Sequence, residues 1–161
     1  MEKIIVIGSP GAGKTIFAKK LRDKLELPLY HLDLIWHRED RTNIGSQAFE
    51  RRLEDIMKED RWIIDGNYRS TLELRLKACD TVFFLDYPLE VCLQGARERV
   101  GRKRDDLPWI ETEFDSEFEQ WIIDFQKTKL KEQYELLANY PNKTLIVFKS
   151  RKEAERFLAQ E

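Results

Sequence analysis

Short apolar runs alternate with stretches of helical period along the whole chain. Lys3 to Ile7 is a continuous apolar run of the length a fully buried strand needs, and the glycine-rich Gly8 to Gly13 breaks it. From Lys14 to Leu25 the apolar residues Ile16, Phe17, Leu21 and Leu25 recur with a helical period. Pro28 to Leu32 reads as a second strand, and Gln47 to Lys58 as a helix carrying Phe49, Leu53, Ile56 and Met57. Arg61 to Asp65 is a third strand ended by Gly66-Asn67, and Leu72 to Leu76 a short helix. Thr81 to Asp86 is a fourth strand closed by Tyr87-Pro88, and Pro88 suits the first turn of a helix running to about Val100. Gly101 to Pro108 is basic and irregular. A long helix runs from about Asp115 to Asn139 with Phe118, Trp121, Ile122 and Phe125 on one face, and its phase slips near Lys127. Phe118 and Trp121 are expected in the core. Thr144 to Phe148 is a fifth strand and Lys152 to Ala159 a last helix. The strands are buried runs without period-two alternation. That predicts one doubly wound α/β domain over residues 1–161, a parallel five-stranded sheet with helices on both faces.

Composition narrows the function. A chain of 161 residues is the usual size of one domain. Lys+Arg 28 against Asp+Glu 30 gives a net charge of -2. A bulk nucleic-acid binder would carry a basic surplus instead. Cys79 and Cys92 make no metal or redox spacing, and buried reduced thiols are the expectation. No run reaches the length of a membrane span, and the N-terminal apolar run is too short for a signal peptide. A soluble cytoplasmic protein is expected, its oligomeric state open with a monomer slightly favoured.

Gly8-Ser9-Pro10-Gly11-Ala12-Gly13-Lys14-Thr15 fits the pattern G-x-x-x-x-G-K-[ST], and it follows the first strand and opens the first helix as the mechanism demands. The glycines let backbone N–H groups turn inward around a β-phosphate, and the helix N-terminus adds favourable partial charge. Gly8, Pro10, Gly11, Ala12, Gly13, Lys14, Thr15 and Ile16 are thus the candidate cofactor-binding residues. Lys14 would reach the β- and γ-phosphates of ATP and the Thr15 hydroxyl would ligate Mg²⁺.

The loop wording resembles that of adenylate kinase and related small P-loop kinases. So does Trp62-Ile63-Ile64-Asp65-Gly66-Asn67-Tyr68-Arg69, similar to that family's strand ending in Asp-Gly-Phe-Pro-Arg. Asp33 after the second strand and Val100-Gly101-Arg102-Lys103-Arg104, similar to a lid entrance, complete the resemblance in order along the chain. A closer likeness is to small adenylate kinase-like bacterial proteins called DNA topology modulation proteins. It rests on His31-Leu32-Asp33 with Trp36, Asp65-Gly66-Asn67-Tyr68, Gly101-Arg102 with Arg104 and Asp106, and Asp115 with Glu117-Phe118 and Trp121-Ile122. The resemblance implies a P-loop NTPase fold of the nucleoside monophosphate kinase type and an ATP-dependent phosphotransferase. It supplies no acceptor.

Each candidate also has a plainer reading. Asp65 ends a hydrophobic strand, the place for a carboxylate holding a Mg²⁺-bound water, or it caps the Asp-Gly turn. Asp33 would accept the proton of an attacking hydroxyl or hold Mg²⁺, or it is a helix N-cap. Arg102 and Arg104, with Arg97, Arg99 and Lys103, suit a short lid near 101–108 that stabilises charge on the transferring phosphoryl group, or a solvated helix end. Asp105 and Asp106 would hold the arginines in place. Trp36 stands where adenylate kinase has an acceptor-binding Arg, and its indole would stack on a flat ring such as a nucleoside-like acceptor. Arg38 or Arg69 would supply the missing charge, with Asn67 and Tyr68 at the mouth of the acceptor site. The donor base is expected near Lys149 and Ser150, by analogy of fold. The partners expected are therefore a nucleoside triphosphate and a small-molecule acceptor. An ATP-binding regulator of DNA topology and a slow NTPase remain as alternatives.

Overall fold

The computed structural model describes residues 1–160. Among the described residues, five strands form a single parallel sheet, in which the second, third, first, fourth and fifth strands of the chain lie side by side in that order. In chain order the elements are β1 (Lys3–Gly8), α1 (Lys14–Leu25), β2 (Leu29–His31), α2 (Leu32–Trp36) and α3 (Ser46–Met57). Then come β3 (Trp62–Asp65), α4 (Arg69–Ala78), β4 (Thr81–Leu85) and α5 (Leu89–Glu98). The chain ends with α6 (Ser116–Asp124), a π-helical turn (Phe125–Lys129), α7 (Leu130–Ala138), β5 (Thr144–Phe148) and α8 (Arg151–Ala159). The doubly wound architecture expected from the apolar runs is the one observed.

Alternate residues of each strand enter two separate cores, which is why the strands read as continuous apolar runs. Ile4 and Val6 of β1, Ile63 of β3, and Phe83 and Leu85 of β4 pack with Phe17, Leu21 and Cys92 under α1, α5 and α8. Ile5, Ile7, Trp62, Ile64, Val82 and Phe84 pack on the other face with Phe49, Leu53, Leu72 and Leu137 from α3, α4 and α7. Both cysteines are buried free thiols, and burial pushes the Cys79 thiol up to about 11.

Two local readings change, and a third takes its structural form. The second strand ends at His31, and Asp33 lies in the first turn of the short helix α2. The short helix read over 72–76 runs over Arg69–Ala78. The phase slip near Lys127 is a π-helical turn, where one extra residue re-aims the stripe without ending the helix. Phe118 and Ile122 before it pack on one core and Leu130 and Tyr134 after it on the other, so this helix crosses the sheet at its C-terminal edge. Gln126 at the crossing donates to the Ser9 hydroxyl at 2.7 Å and to the Tyr87 carbonyl at 3.1 Å.

Candidate functional site

The central strand β1 delivers residues 9–13 to the C-terminal edge of the sheet, where α/β proteins bind ligands. Gly8 and Gly11 adopt φ of +147° and +83°. A Cβ on Gly11 would lie 2.1 Å from the Cys92 carbonyl oxygen in α5, so only glycine permits this approach. Across the same contact, a Cβ on Gly95 would lie 2.2 Å from the Gly11 carbonyl oxygen. The first turn of α1 holds no acidic side chain, which leaves its N-terminal N–H groups open to an anion. Lys14 folds over the loop and donates to the carbonyls of Gly8 and Ser9 at 3.3 and 3.1 Å. Burial lowers its pKa, against the pull of Asp33 and Asp65.

β3 ends on Asp65, whose carboxylate is buried and 2.5 Å from His31 Nδ1. Burial pushes the Asp65 pKa up and the His31 contact pulls it back. Burial of His31 disfavours its charge, but Asp65 outweighs that and leaves its pKa raised. Asp33 accepts a 2.7 Å hydrogen bond from the Tyr68 hydroxyl. Burial and the Asp33 charge raise the pKa of that hydroxyl, so it stays a donor.

The turn after Asp65 is held by two side chains. Asn67 accepts from Gly8 N–H at 3.2 Å and from Gln133 at 3.2 Å, and donates to the Gly8 carbonyl at 2.7 Å. Its amide therefore ties the turn to the phosphate loop. Arg75, fully buried in α4, donates to the carbonyls of Gly66 at 2.8 Å, Tyr68 at 2.9 Å and Asn67. This fork keeps Tyr68 at φ +34° in the left-handed region.

Between Glu98 and Ser116 the chain forms no helix or strand. This irregular stretch is longer than the basic run 101–108 because Glu111 folds back on it, accepting from Arg104 at 2.5 Å while its carbonyl accepts from Gly101 N–H at 2.6 Å. Arg104 also forks onto Asp106 at 2.9 and 2.6 Å. Asp106 is 3% exposed and faces the Thr15 hydroxyl. Its burial favours the neutral acid, yet Arg104 holds its pKa below the usual carboxylate range. Asp105 pairs with Lys19. Arg102 is exposed, and Arg99 lies 5.1 Å over the Phe118 ring and 3.6 Å from Glu111.

These parts enclose a cavity of about 960 Å³. Residues 10–16 line it together with Asp33, Asp65, Asn67, Tyr68, Arg69, Arg102 and Arg104. Trp36 does not: it packs edge-on at 5.3 Å from Phe49 and lies 6.1 Å from Tyr68, behind the wall. Phe118, Trp121, Phe125 and Lys129 form one stripe along the wall, and Trp121 is 45% exposed, so the core expected for it is corrected. A stripe facing a large cavity has the same period as one facing a core. At the α8 end, Arg151, Ala154 and Glu155 line the cavity while Lys149 turns away to Asp86 at 2.5 Å. Arg75, Gly95 and the placing of Asp106 against Thr15 were not anticipated. Only the Arg among apolar residues of α4 offered a signal.

No protein-family model and no curated protein matches this sequence. Solved structures do match its fold. Shikimate kinase from Acinetobacter baumannii in complex with shikimate is 18% identical, with a TM-score of 0.64, covering 98% of this chain and 91% of that one. Shikimate kinase from Bacteroides thetaiotaomicron is 16% identical, TM-score 0.60, covering 96% and 92%. A gluconokinase from Sinorhizobium meliloti is 13% identical, TM-score 0.57, covering 98% and 91%. At these identities the likeness is one of fold, the fold these kinases share. The resemblance to DNA topology modulation proteins finds no support among these neighbours.

Proposed function

We propose that this protein is a Mg²⁺-ATP-dependent phosphotransferase moving the γ-phosphoryl group to a hydroxyl or phosphate of a small acceptor. The observation that carries the reading is that Asp33, oriented by Tyr68, opens into the same cavity as the phosphate loop and Lys14. The cavity extends past the loop to Asn67, Tyr68 and Arg69, room for an acceptor that transfer to water would not need. Lys14 and the loop N–H groups hold the donor phosphates, and Asp33 orients the acceptor and takes its proton. Arg102, exposed in the lid, neutralises charge on the transferring group, and Arg104, forked onto Asp106 and Glu111, holds the lid in shape. Catalysis comes mainly from positioning and charge stabilisation.

The oxygen donors at the loop suit Mg²⁺, which binds few protein ligands and takes the rest from water and phosphate. Thr15 would hold it directly and Asp65 through water, and the ion would neutralise phosphate charge. Among the described residues no group of three or more His, Cys, Asp or Glu is gathered for a metal. With Trp36 outside the cavity lining, the flat-ring acceptor loses its main support, while Arg69 at the start of α4 lines the cavity. The regulator acting through DNA gains nothing from the geometry. Arg97, Arg99 and Arg104, three of its basic cluster, are engaged by Glu119, Glu111 and Asp106.

Asp33→Asn tests the reading. Acceptor-stimulated ADP release should fall by about a hundredfold or more, the usual effect of losing a general base, while ATP binding changes little. Undiminished acceptor-stimulated turnover in this variant would contradict the assignment.

A further inference from the structure

Trp109 sits in the irregular stretch before α6 and packs against a part of the chain about seventy residues away. Its ring lies edge-on to His37 with centroids 5.1 Å apart, and the Arg41 guanidinium lies 5.3 Å from its centroid. The partner segment is a preformed turn. His37 and Asn43 form an antiparallel bridge, Arg38 N–H donates to the Thr42 carbonyl at 2.8 Å, and Asp40 accepts from Thr42 N–H at 3.0 Å. This turn follows Asp33 directly, since His37 N–H donates to the Asp33 carbonyl at 3.0 Å and caps α2. The other end of the Trp109 stretch is fastened on the phosphate side through Asp105 to Lys19 of α1, and Asp106 lines the same cavity as Thr15. The stretch therefore spans the cavity from the donor side to the acceptor side, and Trp109 is its far attachment. The seam is incompletely filled: Leu34, His37, Arg38 and Pro108 border a second, more open hollow. A contact of this kind can open without disturbing either core.

Resting on the phosphotransferase reading, we propose that Trp109 is a positioning residue that pins the lid to the acceptor-side turn 37–43. Closure over the phosphates and closure over the acceptor are then one event, and water is shut out of both halves together. Without the pin, the lid stays tied to α1 through Asp105 and Lys19, but the acceptor compartment stays open to solvent. ATP is then cleaved in part by water, giving ADP and inorganic phosphate in place of ADP and phosphorylated acceptor.

The test compares Trp109→Ala and Trp109→Phe with the parent chain. Amide hydrogen exchange, run without ligand and with Mg²⁺ and a non-hydrolysable ATP analogue, reads the clasp itself. In Trp109→Ala, exchange in 37–43 and in 105–113 should rise about tenfold, as expected from losing an aromatic and a cation–π contact. Exchange in β1, β3 and β4 should stay unchanged, and Trp109→Phe should restore most of the protection. With an acceptor obtained by fractionating a metabolite extract, phosphorylated product per ADP released should drop well below the parent ratio in Trp109→Ala and recover in Trp109→Phe. Unchanged exchange in 37–43 would overturn the clasp. An unchanged product-to-ADP ratio in Trp109→Ala would overturn its role in excluding water. If no acceptor is phosphorylated by the parent chain, it is the phosphotransferase reading that fails, and the exchange data still decide whether the clasp exists.

Discussion

Replacing Arg75 by Met removes a buried cation that faces carbonyl oxygens and no paired carboxylate. Its guanidinium donates to Gly66, Asn67 and Tyr68, and at 3.4 Å to the Thr71 hydroxyl. Burial lowers its pKa to about 9, so it remains charged at neutral pH. Met fills most of the volume but leaves the Gly66 and Asn67 carbonyls without a donor, at about 1–3 kcal/mol each, while the Tyr68 carbonyl keeps the Thr71 N–H at 3.0 Å. Relief of the buried charge returns part of this, for a net loss of about 2–3 kcal/mol against a typical total of roughly 5–15. In urea, with a slope of about 1–3 kcal/mol per molar, the midpoint should fall by roughly 1 M. Arg75→Lys keeps the charge but loses the fork, and should fall between the two. The turn positions Asn67 against Gly8, so folded Arg75→Met should also bind Mg²⁺-ATP more weakly. A midpoint within about 0.3 M of the parent would show that the turn does not depend on this fork.

Two further outcomes follow from local geometry. Gly95→Ala should raise the helix propensity of α5 by about 1 kcal/mol while its Cβ drives into the Gly11 carbonyl. The clash, at about 1–3 kcal/mol, outweighs that gain, so the melting temperature should fall by a few degrees and ATP affinity, measured by calorimetry, at least tenfold; unchanged affinity would refute the packing. Asp80 accepts from Glu2 and Lys3 N–H, both at 2.9 Å, and from the Thr81 hydroxyl at 2.7 Å. Its burial disfavours the charge, but these hydrogen bonds outweigh it and hold the pKa low. A depressed carboxylate stabilises the fold above its ordinary pKa of about 4 and ceases to do so as pH falls through the depressed value. Asp80→Asn should therefore be less stable than the parent at pH 6 and converge with it toward pH 2 in urea melts.

The five strands and the phosphate loop were legible because buried parallel strands and a Gly-rich loop leave marks in consecutive residues. The slip at Lys127 was legible for the same reason, and the π-helical turn is its structural form. What was not legible depends on contacts between distant segments. Nothing local distinguishes Trp121 on a cavity wall from Trp121 in a core, or Trp36 facing an acceptor from Trp36 packed on Phe49. His31 gave no sign that it reaches Asp65, because the pairing depends on the register of β2 against β3. Asp106 looked like a partner for arginines, which it is for Arg104, but its approach to Thr15 needs the whole irregular stretch folded over the loop.

The phosphotransferase reading is tested most directly by ADP release from Mg²⁺-ATP, measured alone and then with pooled nucleosides, nucleoside monophosphates and metabolite extract, with Lys14→Ala as the control. The expected result is a slow basal rate that rises many-fold with one pool and is abolished in a folded Lys14→Ala variant. A rate unchanged by every pool, or one that survives in Lys14→Ala, would contradict it.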